Sequence, residues 1–278
     1  MKTVIDAQAI RFYRENGYII LRGVIPAPLL ERLRAMAEQA REITHRINGP
    51  QAQRLQPLGD HVDMTALKEF TALPELNAAF RALLSERHYI SPAETMAVFF
   101  QPTKNTWATE WHRDLRDHMD ADTLTEVLEG KKWEQFATDL ANFNQFNCAL
   151  YEDTSTWYVP DSAFRMTDTP GELAVARGLD RAAVENKAGT RSEAEQELLL
   201  QDYCANMPGA VQAHLNAGDL LFYRNTGWHI GSYVPYRRRA TLHGQVDTPE
   251  YWAWKEAFPK NYERIMARKK AGKAAAAA

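Results

Sequence analysis

Cysteine is scarce in this sequence: only Cys148 and Cys204 occur among 278 residues. One disulfide is arithmetically possible, but so low a count excludes a disulfide-stapled scaffold and fits a reducing compartment better. No run approaches about 18 apolar residues, so no membrane span is expected. Residues 1–6 also lack the charged-then-apolar pattern of a signal peptide, and we expect a cytoplasmic protein.

A strong net charge and domain linkers are missing as well. The formal net charge is −3, which gives no general attraction to nucleic acid, and we expect no nucleic-acid partner. No internal repeat and no linker rich in Gly, Ser or Pro divides the chain, so we predict one domain over residues 1–278. Basic residues concentrate at the C-terminal end, within 266–278, where we expect a frayed helix end or a solvated tail. The sequence leaves the oligomeric state open.

The hydrophobic pattern changes along the chain. The first ~90 residues favour helices, the first of them capped by Asp6 and ended by Gly17, and the second starting near Pro26. Short apolar runs then alternate with turn residues, which is typical of an antiparallel sheet folded into a barrel or sandwich. These strand candidates are 95–100, 146–151, 157–159, 220–223 and 240–246. The predicted class is mainly β with helices.

Two long insertions interrupt the strand candidates, at residues 115–144 and 167–209. The second contains a capping box, in which Ser192 is followed three residues later by Glu195, so we predict a helix there. Long ordered insertions between strands commonly act as lids or walls. We therefore expect both insertions, together with residues 161–166, to form the walls of a substrate pocket.

A histidine and a carboxylate two residues apart at a strand end point the same way, because side chains alternate along a strand. With a second histidine from another strand they form a facial triad for Fe(II) that leaves coordination positions open. Three such pairs occur: His61 with Asp63, His112 with Asp114, and His118 with Asp120. The first lies in a loop between helices, and the third in a charged stretch typical of a solvated surface. Because His112 follows a strand candidate and a turn, we predict His112 and Asp114 as ligands.

The second histidine has three candidates. His214 lies on the strand-like stretch 210–215, and His229 lies beyond the end of the strand candidate 220–223. His243 lies on the final strand candidate, where it could be a hydrogen-bonded interior histidine. Residue chemistry alone does not choose among the three.

Five segments together point to a known family. They are FYRENGYI at 12–19, WHRD at 111–114, ALYED at 149–153 with VPDS at 159–162, GDLLF at 218–222 through WH at 228–229, and RATL at 239–242. In order and rough spacing, from about residue 10 to 246, they resemble the phytanoyl-CoA dioxygenase family of Fe(II)/2-oxoglutarate-dependent oxygenases. Each motif is weak alone, but their order is fairly specific. The chain departs from the family at Gln101, where a basic residue usually precedes the metal motif.

The resemblance implies a fold and a ligand set. The fold would be a double-stranded β-helix, the cupin-like jelly roll, with an N-terminal helical layer and helical insertions. The residues that match the family's iron ligands are His112, Asp114 and His229. No catalytic side chain is expected beyond these metal ligands.

The resemblance also implies a co-substrate site. Arg239 matches the arginine that pairs with the distal carboxylate of 2-oxoglutarate, a task that suits the guanidinium fork. Arg237 and Arg238 compete for this role, although strand alternation puts Arg238 on the opposite face. Thr156 matches a threonine that often hydrogen-bonds the same co-substrate. The implied cofactors are Fe(II), 2-oxoglutarate and O2.

The implied reaction is hydroxylation of an unactivated C–H bond, with release of succinate and CO2. The carboxylate of Asp114 argues against halogenation, because related halogenases lack it so that chloride can bind iron. The expected substrate is a small to mid-sized metabolite. Two alternatives stay open: a cupin-type metalloenzyme that does not use 2-oxoglutarate, and a non-catalytic β-barrel binding protein whose histidines are packing residues.

Overall fold

The helices and strands follow the predicted order of an N-terminal helical part and then strands with helical insertions. The computed structural model describes residues 1–276. Its α-helices are α1 Ala7–Asn16, α2 Ala27–Asn48, α3 Thr65–Thr71, α4 Pro74–Leu83, α5 Ala121–Val127, α6 Trp133–Thr138, α7 Pro170–Arg177, α8 Arg181–Glu185, α9 Glu193–Ala205 and α10 Pro249–Ala276. Its strands are β1 Tyr18–Leu21, β2 Arg54–Leu55, β3 Tyr89–Ile90, β4 Ala97–Phe100, β5 Trp107–Ala108, β6 Asn144–Ala149, β7 Thr156–Tyr158, β8 Val211–Gln212, β9 Leu220–Arg224, β10 His229–Tyr233 and β11 Ala240–Asp247.

The predicted start of the fold is confirmed in detail. The Asp6 carboxylate accepts a hydrogen bond from the Ala9 amide and caps α1. Gly17 ends the helix in the left-handed region, with φ 75°, which a residue without Cβ adopts at little cost. The capping box of Ser192 and Glu195 likewise opens α9.

The strands form two sheets in which all strand pairs are antiparallel. The larger sheet has seven strands in the order β1-β9-β6-β11-β4-β2, with β3 also paired to β11. The smaller has four strands in the order β5-β10-β7-β8. A cavity between them is lined by residues of both sheets, so the two sheets enclose the interior of a jelly roll.

Side-chain alternation gives the larger sheet two different faces. One face is apolar and packs against the N-terminal helices, with Val98, Cys148, Leu220, Phe222 and Leu242 in one core with residues of α1 to α4. The opposite face points into the cavity and carries polar residues. These are Gln145, Asn147, Tyr223, His243 and Gln245. The fold thus buries its helical layer on one side and builds a polar chamber on the other.

The two insertions cover the barrel without lining this cavity, so the predicted pocket walls are wrong. The cavity lining includes no residue from 115–144 or 161–209. Leu200 and Cys204 of α9 pack with Trp157 and Ile230 of the smaller sheet. The first insertion packs its aromatic residues, including Phe136, against α10. Both insertions bury their own apolar side chains against neighbouring elements. The residues that we expected to line the pocket are therefore part of these packing contacts and do not face the cavity.

The C-terminal helix replaces one of the expected walls. Trp252, Lys255 and Glu256 of α10 reach the cavity. The basic segment expected as a frayed helix end or solvated tail continues α10 to Ala276, and Lys269 pairs with Asp120 at 3.0 Å. Residues 277–278 of that predicted tail lie outside the described residues. No helix within residues 1–276 is both long and apolar enough to cross a membrane.

Candidate metal centre

His112 and His229 face each other across an isolated antiparallel bridge. The amide of His112 donates to the carbonyl of His229 at 3.2 Å, and the reciprocal bond is 3.1 Å. The rings come to 4.3 Å between centroids. Asp114, two residues after His112, is fixed by its own amide, which donates to the carbonyl of Asn225 at 2.8 Å. Backbone pairing therefore brings all three predicted ligands to one end of β10.

Backbone carbonyls orient the two imidazoles. Nδ1 of His112 lies 2.7 Å from the carbonyl oxygen of Glu110, and Nδ1 of His229 lies 3.0 Å from that of Gly227. Since a carbonyl oxygen only accepts, each Nδ1 carries the proton and each Nε2 keeps a free lone pair. Fixing a ligating histidine through its other nitrogen is the usual support of a metal site.

The three ligand atoms are close enough to share one ion. Oδ1 of Asp114 lies 3.6 Å from Nε2 of His112 and 3.8 Å from Nε2 of His229. All three atoms lie within 4.8 Å of one another. One point therefore lies within about 2.5 Å of all three, close to the range of metal–ligand bonds. Two imidazole nitrogens and one carboxylate oxygen are a donor set that suits Fe(II).

The charge states at this point also favour a cation. Burial, followed by repulsion from His112, lowers the pKa of His229 to about 4, so its imidazole is neutral at neutral pH. Burial alone would raise the pKa of Asp114. The neighbouring histidines and Asn225 lower it by more, and the net pKa lies well below its usual value. The site therefore presents a neutral imidazole at His229 and a carboxylate at Asp114, the protonation states in which these groups bind metal.

Asn225 supports the carboxylate from behind. Its side-chain amide donates to Oδ2 of Asp114 at 2.7 Å and to Oε1 of Gln145 at 3.1 Å. Oδ2 is thus engaged by the protein while Oδ1 faces the two histidines. Sequence reasoning missed Asn225, because a lone asparagine in a turn between strands carries no signal of such a role.

Replacing Asn225 with alanine is expected to lower divalent-metal affinity by about 10- to 100-fold, the usual cost of losing a group that orients a ligand. Anaerobic titration with Fe(II) or Co(II) measures this directly. Asn16→Ala is the matched control, because the Asn16 amide donates to the carbonyl of Phe12 outside the cavity. Equal metal affinity in the wild type and Asn225→Ala would contradict the role given to this amide.

The cavity in front of the three residues has a volume of about 640 Å³. That volume lies within the range of ligand pockets. Besides His112, Asp114 and His229, the lining includes Thr156 and Arg239. The predicted metal and co-substrate residues therefore all border one chamber.

Arg239 is buried and held by a carboxylate. Its Nε lies 3.1 Å from Oδ2 of Asp153, which also accepts from the hydroxyl of Thr241 at 2.9 Å. Burial would raise the pKa of Asp153, but Arg239 and the hydrogen bonds lower it, so the carboxylate stays charged. Within the described chain, the two terminal nitrogens of Arg239 have no hydrogen-bond partner. Asp153 thus anchors the guanidinium through Nε, and the two terminal nitrogens of Arg239 stay available to a ligand.

The two competing arginines point elsewhere. Arg238 pairs with Glu38 of α2 at 2.8 Å and is about half exposed. Arg237 donates to the hydroxyl of Thr154 at 2.9 Å on the surface. Neither of them borders the cavity that contains the metal candidates.

The rejected histidine pairs have structural roles, with one exception. Asp120 caps α5 through the amide of Thr123, Asp63 accepts a hydrogen bond from the amide of Thr65 at the start of α3, and His214 is exposed. His243 donates from Nδ1 to Oδ1 of Asn147 at 2.9 Å, as expected for an interior histidine. The exception is the predicted surface residue His118, which is more than half exposed but whose Nε2 lies 3.7 Å from Oδ1 of Asp114.

Two histidines and one carboxylate around one point, inside two facing antiparallel sheets, define the class. The arrangement matches the 2-His-1-carboxylate facial triad of non-haem Fe(II) oxygenases.

Comparison with known proteins gives the family. A model of the phytanoyl-CoA dioxygenase (PhyH) family matches residues 13–232, and the chain belongs to this family. It is an Fe(II)/2-oxoglutarate-dependent dioxygenase-type enzyme, and the cofactors of the family are Fe(II), 2-oxoglutarate and O2. The predictions of family, enzyme class and cofactors are confirmed. No curated protein sequence matches the chain.

Solved structures share the fold at low sequence identity. AviO1 from Streptomyces viridochromogenes Tue57 is 15% identical, with a TM-score of 0.56, over 89% of this chain and 97% of that one. HygX from Streptomyces hygroscopicus, with nickel and 2-oxoglutarate bound, is 12% identical, with a TM-score of 0.55, over 89% and 88%. The epimerase SnoN, in complex with Fe3+, alpha ketoglutarate and nogalamycin RO, is 15% identical, with a TM-score of 0.54, over 87% and 85%. The predicted jelly-roll fold is confirmed.

Proposed function

We propose that this enzyme hydroxylates an unactivated C–H bond of a small to mid-sized metabolite and releases succinate and CO2. Fe(II) would be held by His112, Asp114 and His229, and 2-oxoglutarate by Arg239 and Thr156. One observation carries the proposal: the three candidate ligands and the free end of the Arg239 fork border the same cavity.

Each residue would have a distinct task. The two imidazoles and Asp114 would hold the metal on one side and leave its cavity side open. Arg239, already anchored by Asp153, would offer its two terminal nitrogens to the distal carboxylate of 2-oxoglutarate. The buried hydroxyl of Thr156 would add a hydrogen bond to the same group. When bound, iron with 2-oxoglutarate and O2 supplies the oxidising power, while the protein supplies position and limits access of water.

The carboxylate supports oxygenation over halogenation. Asp114 fills the position that a halide would need, and Asn225 fixes it there. The reaction outcome beyond that is a proposal, since one of the similar structures is an epimerase. Hydroxylation is the outcome that we propose over epimerisation, because the substrate and 2-oxoglutarate together supply the electrons that reduce O2, whereas redox-neutral epimerisation would need a further reductant.

The test measures co-substrate turnover and product composition separately. Iron-dependent formation of succinate from 2-oxoglutarate is expected in the wild type, and it should rise in the presence of the substrate. Mass spectrometry of the converted substrate should show the gain of one oxygen atom. Loss of two hydrogen atoms would indicate desaturation or ring closure, and an unchanged mass with altered stereochemistry would indicate epimerisation. Either result would overturn hydroxylation, while absence of succinate formation would overturn the use of 2-oxoglutarate.

We also propose that the chain forms a single catalytic domain in the cytoplasm. The packing of both insertions and α10 onto the barrel supports one domain. Both cysteines are free and buried, which supports a reducing compartment. Limited proteolysis that released a separately folded fragment would contradict the single domain.

A further inference from the structure

Arg54 is a cavity cation that no acidic side chain neutralises. It lies on β2, opposite Phe99 of β4 in the strand register, and both side chains border the cavity. Its guanidinium carbon is 5.2 Å from the centroid of the Phe99 ring, and its NH2 group donates to the side-chain oxygen of Gln56. Within the described residues, no carboxylate comes within ion-pair distance of Arg54.

The other cations that border the cavity are already paired. Arg239 is held by Asp153, and Nζ of Lys255 lies 2.7 Å from Oδ2 of the fully buried Asp247. Glu256 also reaches the cavity from α10; it is exposed, as Arg54 is, and the two make no ion pair. Arg54 therefore differs from its neighbours in keeping its charge available for a ligand.

The position of Arg54 separates it from the co-substrate residues. Arg239 and Arg54 both approach the ring of Phe99, at 5.8 and 5.2 Å from its centroid. Arg239 precedes β11 and lies beside Asp153 and Tyr233. Arg54 lies on β2, the edge strand of the larger sheet, two strands away from β11. Two anions bound at these residues would lie apart, and a cavity of about 640 Å³ has room for 2-oxoglutarate and a second small molecule.

The metal would strengthen this preference for anions. In the free protein, Asp114 is the acidic group whose charge Arg54 senses within the cavity. A divalent ion bound to Asp114 would offset that negative charge, since bound ions are commonly the largest charges in a site. Relative to the metal-free protein, the metal-bound cavity would therefore repel an entering anion less.

His243 adds a hydrogen-bond acceptor to the cavity lining. Its Nδ1 donates to Oδ1 of Asn147, which leaves Nε2 as the acceptor. The ring of His243 packs against Phe99, which Arg54 and Arg239 also approach, with 4.6 Å between the ring centroids.

We propose that the primary substrate is an organic anion whose charged group, a carboxylate or a phosphate ester, binds the guanidinium of Arg54. This inference rests on the proposed function of the same cavity. The guanidinium fork binds either group through two hydrogen bonds, and the contact with Phe99 holds the fork in place. The remainder of the substrate would extend across Phe99 toward the iron.

The test compares probes that share one apolar body. These are 3-phenylpropanoate, 3-phenylpropyl phosphate and the neutral 3-phenylpropanamide, titrated calorimetrically into full-length enzyme loaded with Ni(II) and 2-oxoglutarate. At least one anion should bind about 10- to 100-fold more tightly than the amide, the factor expected for hydrogen bonds between charged groups. The tighter of the two anions identifies the group that the site prefers.

Variants connect this preference to Arg54. Arg54→Gln should remove the difference between anion and amide, and Arg54→Lys should retain part of it. Arg238→Gln is the matched control, because Arg238 pairs with Glu38 outside the cavity and should leave the preference intact. Thermal melts of each variant verify that it is folded.

Three results would overturn the inference. They are no preference for either anion in the wild type, a preference that survives in Arg54→Gln, and a loss of 2-oxoglutarate affinity in Arg54→Gln equal to that in Arg239→Gln. The last would make Arg54 part of the co-substrate site. Failure of the proposed function is distinguishable from these results, because it would appear as absence of iron-dependent succinate formation.

Discussion

Replacing His112 with alanine is expected to lower iron-dependent succinate formation by at least about 1,000-fold, a loss typical of removing a member of a catalytic unit. The reason lies in the donor set, in which His112, Asp114 and His229 are the described residues that bring ligand atoms to one point. Loss of one Nε2 leaves a single imidazole and Asp114, and the remaining pair would hold Fe(II) weakly. Metal content after anaerobic loading should fall in parallel with activity.

A matched histidine variant separates loss of the ligand from loss of structure. His214→Ala removes an exposed imidazole that had been a candidate for the distal ligand, and it should retain metal content and activity. Circular dichroism and thermal melts of His112→Ala should match the wild type without metal. Full activity in His112→Ala would rule out the ligand set. Normal metal content without activity in His112→Ala would show that His112 is not a metal ligand and acts in the reaction in another way.

The pair His112 and Asp114 could be predicted from a local pattern, whereas His229 was predicted only through the resemblance to the family. The side chains of a His-x-Asp pair at a strand end lie on the same face, because side chains alternate along a strand. In the structure, the bridge between His112 and His229 places this face beside the second histidine. The fold class was predictable for a similar reason, since short apolar runs between turns specify antiparallel strands. The polar alternation of Gln145 and Asn147 within an apolar run is a signal that the sequence contained and that we did not use.

Other features depend on contacts that no local pattern encodes. His118 reaches Asp114 because the backbone reverses at Leu115, which has φ 65° although it is not glycine. Tertiary contacts hold this reversal, since the amide of Asp114 donates to the carbonyl of Asn225 and Arg113 pairs with Asp168. Such a turn is fixed by tertiary contacts against local preference, so a charged stretch was read as a solvated surface.

The wrong prediction of the pocket walls has the same origin. Aromatic residues in the first insertion were equally compatible with a pocket lining and with a small core of their own. Helix α10 decides between these alternatives, because its Tyr251 and Trp254 pack edge-to-face against Phe143 and Phe136. Since α10 follows the first insertion by more than 100 residues, its docking there was not visible in the pattern of either segment. The same docking brings Trp252 and Lys255 to the cavity.

Replacing Arg239 with glutamine is expected to raise the KM for 2-oxoglutarate by about 30- to 5,000-fold, which corresponds to about 2–5 kcal/mol for truncating one partner of a buried charge pair. The variant would lose the two terminal nitrogens that meet the distal carboxylate. Steady-state assays at saturating Fe(II) measure KM, and calorimetry with Ni(II)-loaded enzyme measures affinity without turnover. Arg238→Gln should change neither.

Arg239→Gln also leaves the buried carboxylate of Asp153 without its partner, a defect that commonly costs about 3–5 kcal/mol of stability. The double variant Asp153→Asn/Arg239→Gln removes that charge and should recover much of the lost thermal stability. It should not recover 2-oxoglutarate affinity, because the fork is still absent. If affinity returned together with stability, Arg239 would serve only to neutralise Asp153, and the co-substrate carboxylate would have to bind elsewhere in the cavity.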